Sequence, residues 1–277
     1  MRNTSIILLA GLAAILTSCG EDPEEEVQRE LAHKKRVDEA QAKYEAELTK
    51  PTDYVLSFNW QPAFCETNSR KRECKTQTKE RYDATNFALH GLWPQPGNNV
   101  YCDVEEDQIK LDKQGQWREL RVEQINEYVW RDLKEVMPGT QSSLHKHEWV
   151  KHGTCYSKSI DDYYAHSVWL MQRLNASRLQ DLFEARIGAQ ITGTQIRTLF
   201  EESFGKGSGD RLRISCRKDP DTNRQMITGL TLGLSGKING EKSLSEMIMA
   251  AAITNPGCDK GYVDPVGLQP NEDPADK

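Results

Sequence analysis

The 277-residue chain is poor in several things at once. Its one early apolar run, residues 6–16, falls well short of a bilayer-spanning helix, which needs about 20 apolar residues. No Cys-x-x-Cys pair occurs among the seven cysteines, which argues against a dithiol redox enzyme or a zinc ribbon. There is no basic excess, the formal net charge being −6, and this at first sight opposes a nucleic-acid partner. Histidine is limited to six positions, of which His33, His145 and His166 stand outside the two stretches described below.

The ends account for much of this. The run at 6–16, preceded by Arg2, reads as an export signal, and Leu16-Thr17-Ser18-Cys19-Gly20 resembles a bacterial lipobox. Residues 1–18 are therefore expected to be a lipoprotein signal peptide and Cys19 a lipidation site, with Gly20 resembling the position-two residue of outer-membrane lipoproteins. The expected location is the bacterial envelope, periplasmic and membrane-anchored. Residues 19–50 are rich in Glu, Lys, Ala and Gln, cannot bury a core, and are expected to form a solvated, helical tether. Residues 259–277 are expected to be an irregular tail, which leaves 51–258 for one globular domain.

Charge divides along the same boundaries. Residues 20–50 hold ten acidic and six basic side chains, and residues 259–277 hold five and two. The body is therefore near neutral. Within it Arg70, Lys71, Arg72, Lys75, Lys79 and Arg81 form a basic run, which suits either a solvated loop or an RNA-guiding patch. With Cys19 set aside, Cys65, Cys74, Cys102, Cys155, Cys216 and Cys258 remain; an oxidising compartment allows three disulfides, with fifteen possible connectivities.

Aromatic and β-branched residues in partial alternation predict a strand over 54–60, a short apolar run closed by Trp93-Pro94 predicts another over 87–92, and two more are expected over 211–216 and 226–234, the last weakened by Gly229 and Gly233. A turn is expected at Gln61-Pro62. Helices are predicted over 161–174, 177–187 and 195–204, and where Leu120, Ile125, Val129, Leu133 and Val136 recur before Pro138-Gly139. Helices and strands without a regular βαβ rhythm indicate an α+β fold.

Two stretches carry the chemistry: His90-Gly91-Leu92-Trp93-Pro94, and His147-Glu148-Trp149-Val150-Lys151-His152-Gly153-Thr154-Cys155. On an α-helix, His147, Lys151, Glu148 and His152 stand at roughly 0°, 40°, 100° and 140°, one broad face, with Trp149 and Val150 turned to a core. Zinc is disfavoured, because the position four after His147 is Lys151 and His152 diverges from His147 by roughly 140°. Two imidazoles with a nearby cation suit metal-free phosphodiester cleavage instead: one neutral imidazole accepts a proton, a protonated one donates, and the cation stabilises the phosphorane.

These two stretches resemble the active-site segments of the ribonuclease T2 family, and Ser57-Phe58-Asn59-Trp60-Gln61-Pro62-Ala63-Phe64-Cys65 with Cys74 is similar to its opening strand and first disulfide loop, particularly in bacterial periplasmic members. The resemblance implies the ribonuclease T2 fold, a central antiparallel sheet flanked by helices, over about 54–258. It implies an endoribonuclease acting on single-stranded RNA through 2′,3′-cyclic phosphates, without cofactor, and with no protein partner implied. His152 would be the base, His90 the acid, Glu148 and Lys151 the stabilisers of the phosphorane, and His147 the phosphate holder. Trp93 and Tyr101 would form the base pocket; Gln95 replaces the acidic residue of well-known fungal members, and Pro138–Gln141 align loosely with a second base site. The implied disulfides are Cys65–Cys74, Cys102–Cys155 and Cys216–Cys258. A catalytically silent RNA-binding or surface lipoprotein of the same fold is the alternative reading. His33, His145 and His166 are expected at the solvated surface.

Overall fold

Residue 23 is the first and 267 the last that the computed structural model describes, so the expected signal peptide, the expected lipidation site Cys19 and residues 268–277 lie outside the described residues. The chain divides into two compact units, Met1–Glu45 and Ala46–Lys277. Helix α1 (Pro23–Leu48) lies in the first unit up to Glu45; there it leaves Val27, Leu31 and Val37 about half exposed and carries the i,i+4 pairs Arg29–Glu25 and Lys35–Glu39. Helix formers, not burial, sustain it.

In the second unit, β1 (Tyr54–Asn59) is followed by α2 (Gln61–Thr67) and α3 (Arg72–Lys75). The turn expected at Gln61-Pro62 is instead the first turn of α2, where a proline costs nothing because its missing N–H would be unbonded anyway. Strand β2 (Ala88–Pro94) leads to α4 (Glu106–Lys113) and α5 (Glu127–Val136). The predicted helix from Leu120 starts only at Glu127, because Asn126 caps it by accepting from the Tyr128 N–H. Leu120 and Ile125 are buried from the segment before α5.

Helix α6 (Leu144–Glu148) runs into a π turn, Trp149–Gly153, and then α7 (Thr154–Tyr156). Helix α8 (Ile160–Leu174), capped by Ser159, α9 (Arg178–Ala185), β3 (Gln190–Thr192) and α10 (Gly193–Phe204), opened by a Thr192–Gln195 capping box, follow. Strands β4 (Leu212–Lys218) and β5 (Gln225–Leu234), helix α11 (Leu244–Ala250) and β6 (Lys260–Tyr262) complete the described order.

The strands make one sheet in the order β2-β1-β5-β6-β3, with β4 also on β5. It is antiparallel except where Met226 of β5 pairs in parallel with Tyr262 of β6. The tail expected from residue 259 therefore begins inside the sheet. Trp60 Nε1 also donates to the Asp264 carbonyl at 2.7 Å, so the folded domain runs past Cys258. Fully buried Phe58, Trp60, Phe87 and Phe183 pack in tilted and edge-on pairs, Phe87 and Phe183 at 4.7 Å; each such side chain contributes about 1.5–3 kcal/mol by leaving water. Disulfides join Cys65 to Cys74, Cys102 to Cys155 and Cys216 to Cys258. Among the described residues, no helix is long and apolar enough to cross a membrane.

Candidate active site

Strand β2 is not regular where the first histidine sits. Ser57 pairs with Gly91 and Phe58 with Leu89, so His90 is the extra residue of a β-bulge. A bulge frees one residue from the ladder and re-aims its side chain. His90 thereby comes within 3.4 Å of the Asn59 side-chain amide through Nδ1 and within 3.4 Å of Glu148 Oε1 through Nε2.

Glu148 is the centre of the site. Its side chain is 1% exposed, and an isolated buried carboxylate would be costly. Here Trp93 Nε1 donates to Oε2 at 2.9 Å, while His90 Nε2 and His147 Nε2 stand 3.4 and 3.7 Å from Oε1. It reaches this place because Gly91 has no side chain. A Cβ there would meet Glu148 Oε2 at 2.0 Å and Trp93 Nε1 at 2.7 Å.

The second stretch is not one continuous α-helix. The π turn at Trp149–Gly153 bonds i to i+5 and is wider than an α-turn, so the α-helical angles do not carry over to His152. Lys151 occupies the position, four after His147, that a second zinc histidine would need. Gly153 permits the turn's packing, since a Cβ would strike the Trp149 ring at 2.3 Å. Trp149 and Val150 are buried, as the amphipathic spacing predicted.

His152 is 8% exposed, its Nδ1 has no hydrogen-bond partner among the described residues, and its ring lies 5.5 Å from that of Trp93. Burial, then the charges of Lys151, His147 and His90, hold its imidazole down to about 3. It is neutral at any ordinary working pH. Lys151 is half-buried, and among the described residues no carboxylate pairs with its ammonium.

His147 is fixed from three sides. Its Nδ1 lies 2.6 Å from Asp112 Oδ1, Trp117 stacks on its ring at 4.5 Å and 20°, and Lys71 of the basic run stands over Trp117 at 4.8 Å. Asp112, 4% exposed, also accepts from the Tyr101 hydroxyl at 2.8 Å. Burial and then this carboxylate raise the Tyr101 hydroxyl's pKa. Sequence reasoning missed Asp112, Trp117, Asn59 and the bulge. Asp112 lies on α4, whose polar sequence gives no apolar period to draw attention to it.

The remaining expectations divide. Trp93 is half-buried beside both Glu148 and His152, and Gln95 turns its amide onto the Trp93 carbonyl at 3.1 Å. Tyr101 is bound through its hydroxyl to Asp112 and its N–H donates to the Lys151 carbonyl at 2.9 Å, while the adjacent Cys102–Cys155 disulfide ties the same segment to the end of the second stretch. In the 3₁₀ turn Pro138–Ser142, Ser142 donates to Glu73 of the first disulfide loop and Gln141 accepts from Thr76 just after it. His145 is not a solvated residue: it packs at 4.9 Å from Trp130, and burial and then Lys146 push it down to about 4. His166 is half-buried with its Nδ1 2.6 Å from the Tyr156 hydroxyl, and burial lowers it. His33 is exposed on α1.

A neutral buried imidazole, a more exposed imidazole beside a carboxylate, and an ammonium without a carboxylate partner make a general acid–base centre open to an anion. The sequence model of the Ribonuclease T2 family matches residues 52–247. The chain belongs to that family and is an enzyme of ribonuclease T2 type. Ribonuclease I of Escherichia coli (strain K12) is 25% identical over 188 residues, 60% of this chain and 70% of its own. Ribonuclease 3 of Arabidopsis thaliana is 26% identical over 177 residues, 62% of this chain and 74% of its own. Among solved structures, RNase NT in complex with 5′-AMP aligns with a TM-score of 0.47 at 17% identity, covering 77% of this chain and 98% of that one.

Proposed function

We propose that the chain cleaves single-stranded RNA by transesterification, leaving 2′,3′-cyclic phosphate ends, without a metal or cofactor in the reaction. The observation that carries this reading is the pairing of a buried, neutral His152 with a bulge-presented His90 beside Glu148. His152 takes the 2′-hydroxyl proton. His90, 32% exposed and ion-paired to Glu148 when protonated, delivers a proton to the departing 5′-oxygen. Lys151 supplies positive charge where the phosphorane develops negative charge, and His147 holds the phosphate. Glu148, buried among donors, acts through His90, His147 and Trp93. The Trp93 ring offers a face for sequence-tolerant base stacking.

The sequence of the first twenty residues supports an envelope lipoprotein acylated at Cys19, degrading RNA in the periplasm as a scavenger. The charged helix α1 would serve as its tether. Cleavage is tested by digesting RNA in excess chelator and analysing the ends. Cyclic phosphate ends that persist under chelation and vanish in His152→Ala support the reading; loss of cleavage on chelation, or no cleavage at all, rejects it. A Cys19→Ala protein that still fractionates with membranes would sink the anchoring.

A further inference from the structure

The first disulfide loop carries a charge that the chemistry above does not use. Residues 65–75 hold two acidic and four basic side chains, and folding sorts them by sign. Glu66 and Glu73 turn inward, 6% and 3% exposed, and Glu73 accepts from the Ser142 hydroxyl. Arg70, Arg72 and Lys75 are exposed and Lys71 is half-buried. Among the described residues no carboxylate forms an ion pair with any of these four, whereas Arg81, further along the basic run, is taken by Asp83 at 2.5 and 2.6 Å. On a chain of net charge −6, this is an outward face of the opposite sign.

Lys71 brings that charge to the active site. Its Nζ stands 4.8 Å over the Trp117 ring, the same ring that stacks on His147 at 4.5 Å and whose Nε1 donates to the Asp112 carbonyl at 3.3 Å. The ammonium is therefore under about 10 Å from His147, within a Debye length at 0.1 M salt. A ring face attracts a cation without neutralising it, and the nearby Asp112 carboxylate is already committed to His147 and Tyr101. Lys146, next to His147 in sequence, spends its ammonium on the carbonyls of Arg118 and Leu120. The loop is also held in place. The Cys65–Cys74 bridge closes it, the Lys71 N–H donates to the Asn68 carbonyl at 2.9 Å, and Thr76 donates to Gln141. A ligand bound there has little loop ordering to offset.

Given the RNA cleavage proposed above, on which this rests, we propose that the loop is a backbone-phosphate subsite: Lys71, backed by Arg70 and Arg72, holds an RNA phosphate other than the scissile one, and Trp117 sets its distance from His147. Of the two readings open to the basic run in sequence, a solvated loop or an RNA-guiding patch, the second is the one that the inward acids and the Lys71–Trp117–His147 contacts favour. Phosphate contacts place the chain without reading its bases. The subsite therefore selects for length: a chain with phosphates beyond the scissile one is bound better than a dinucleotide of the same bases.

A single-stranded 2′-O-methyl oligonucleotide has no free 2′-hydroxyl to attack, so it reports binding without cleavage. Each phosphate neutralised on a single strand adds about 0.7 to the slope of log affinity against log salt. Lys71→Gln, which keeps a stem against Trp117 and removes the charge, should lower that slope by about 0.7, and the triple change Arg70→Gln, Lys71→Gln, Arg72→Gln by up to about 2. Lys71→Arg should restore it. In cleavage, the kcat/KM of a decamer relative to that of a dinucleoside monophosphate should fall roughly threefold in Lys71→Gln, the share of one backbone contact, and mainly through KM. An unchanged slope overturns the proposal. So does an equal loss on both substrates, which would make Lys71 a support for Trp117 and His147 alone. A protein that cleaves no RNA would reject the reading above, while the binding slopes still decide the subsite.

Discussion

Gly91 and Glu148 are 57 positions apart in the sequence and occupy one space: a Cβ on Gly91 would lie 2.0 Å from Glu148 Oε2. The carboxylate is buried and held by Trp93, His90 and His147, so it cannot step aside without breaking those contacts. Gly91→Ala should therefore misplace the carboxylate and lower kcat/KM on RNA by about 100-fold, the usual penalty of a 1 Å displacement. Overpacking should also cost about 1–3 kcal/mol of stability. Steady-state kinetics and thermal melting check both, and an alanine variant with wild-type kinetics would show that the glycine is dispensable.

Asp112 holds His147 as Glu148 holds His90. Asp112→Asn keeps the shape but replaces the carboxyl acceptor facing His147 Nδ1 with an amide, and a hydrogen bond to a charged group is worth about 1.5–3 kcal/mol. We expect kcat/KM to fall roughly 10- to 100-fold, mainly through KM if His147 binds phosphate. Equal losses in kcat and kcat/KM would move His147 from substrate binding into the chemical step.

The Cys102–Cys155 bridge closes a separation of 53 residues, and chain-entropy reasoning gives it roughly 4 kcal/mol. It also joins the Tyr101 segment to the end of the catalytic turn. A Cys102→Ser, Cys155→Ser double variant should melt earlier and, well below its melting point, cleave RNA more slowly. Full activity in the folded variant would mean the bridge stabilises the domain without clamping the site.

His145 and His152 make stability sensitive to acid. Their ordinary value of 6.5 is lowered by burial to about 4 and about 3. Between 6.5 and those values the unfolded chain takes up protons that the folded chain refuses, so stability declines as pH falls, by up to about 1.4 kcal/mol per pH unit for each histidine. Melting curves from neutral pH to pH 4 should show the decline. His145→Gln should remove one proton's share of the slope; an unchanged slope would mean His145 titrates as a solvated residue.

Much was legible in sequence because local rules decide it. The capped helices α8 and α10 and the alternating strands β1 and β5 follow short-range periodicity, and scarce histidine marked the site. Burial of Trp149 and Val150 followed from their angle on a helix. His145 was misread because its neighbours in sequence give no hint of Trp130, which reaches it from another helix. The irregular tail was misread because β6 is three residues long and exists only through its pairing with β3 and β5.

The sequence by itself determined which chemical groups are present: three imidazoles, a carboxylate and an ammonium in two short stretches, on a chain of mixed helices and strands. Tertiary structure alone decided their states. A bulge presents His90, a π turn interrupts the helix that carries His152, burial keeps His152 neutral, and Asp112, chosen by no local pattern, fixes His147. The reason is physical: residue type sets what a group can do, whereas protonation and orientation depend on desolvation and on partners that only folding brings within 4 Å.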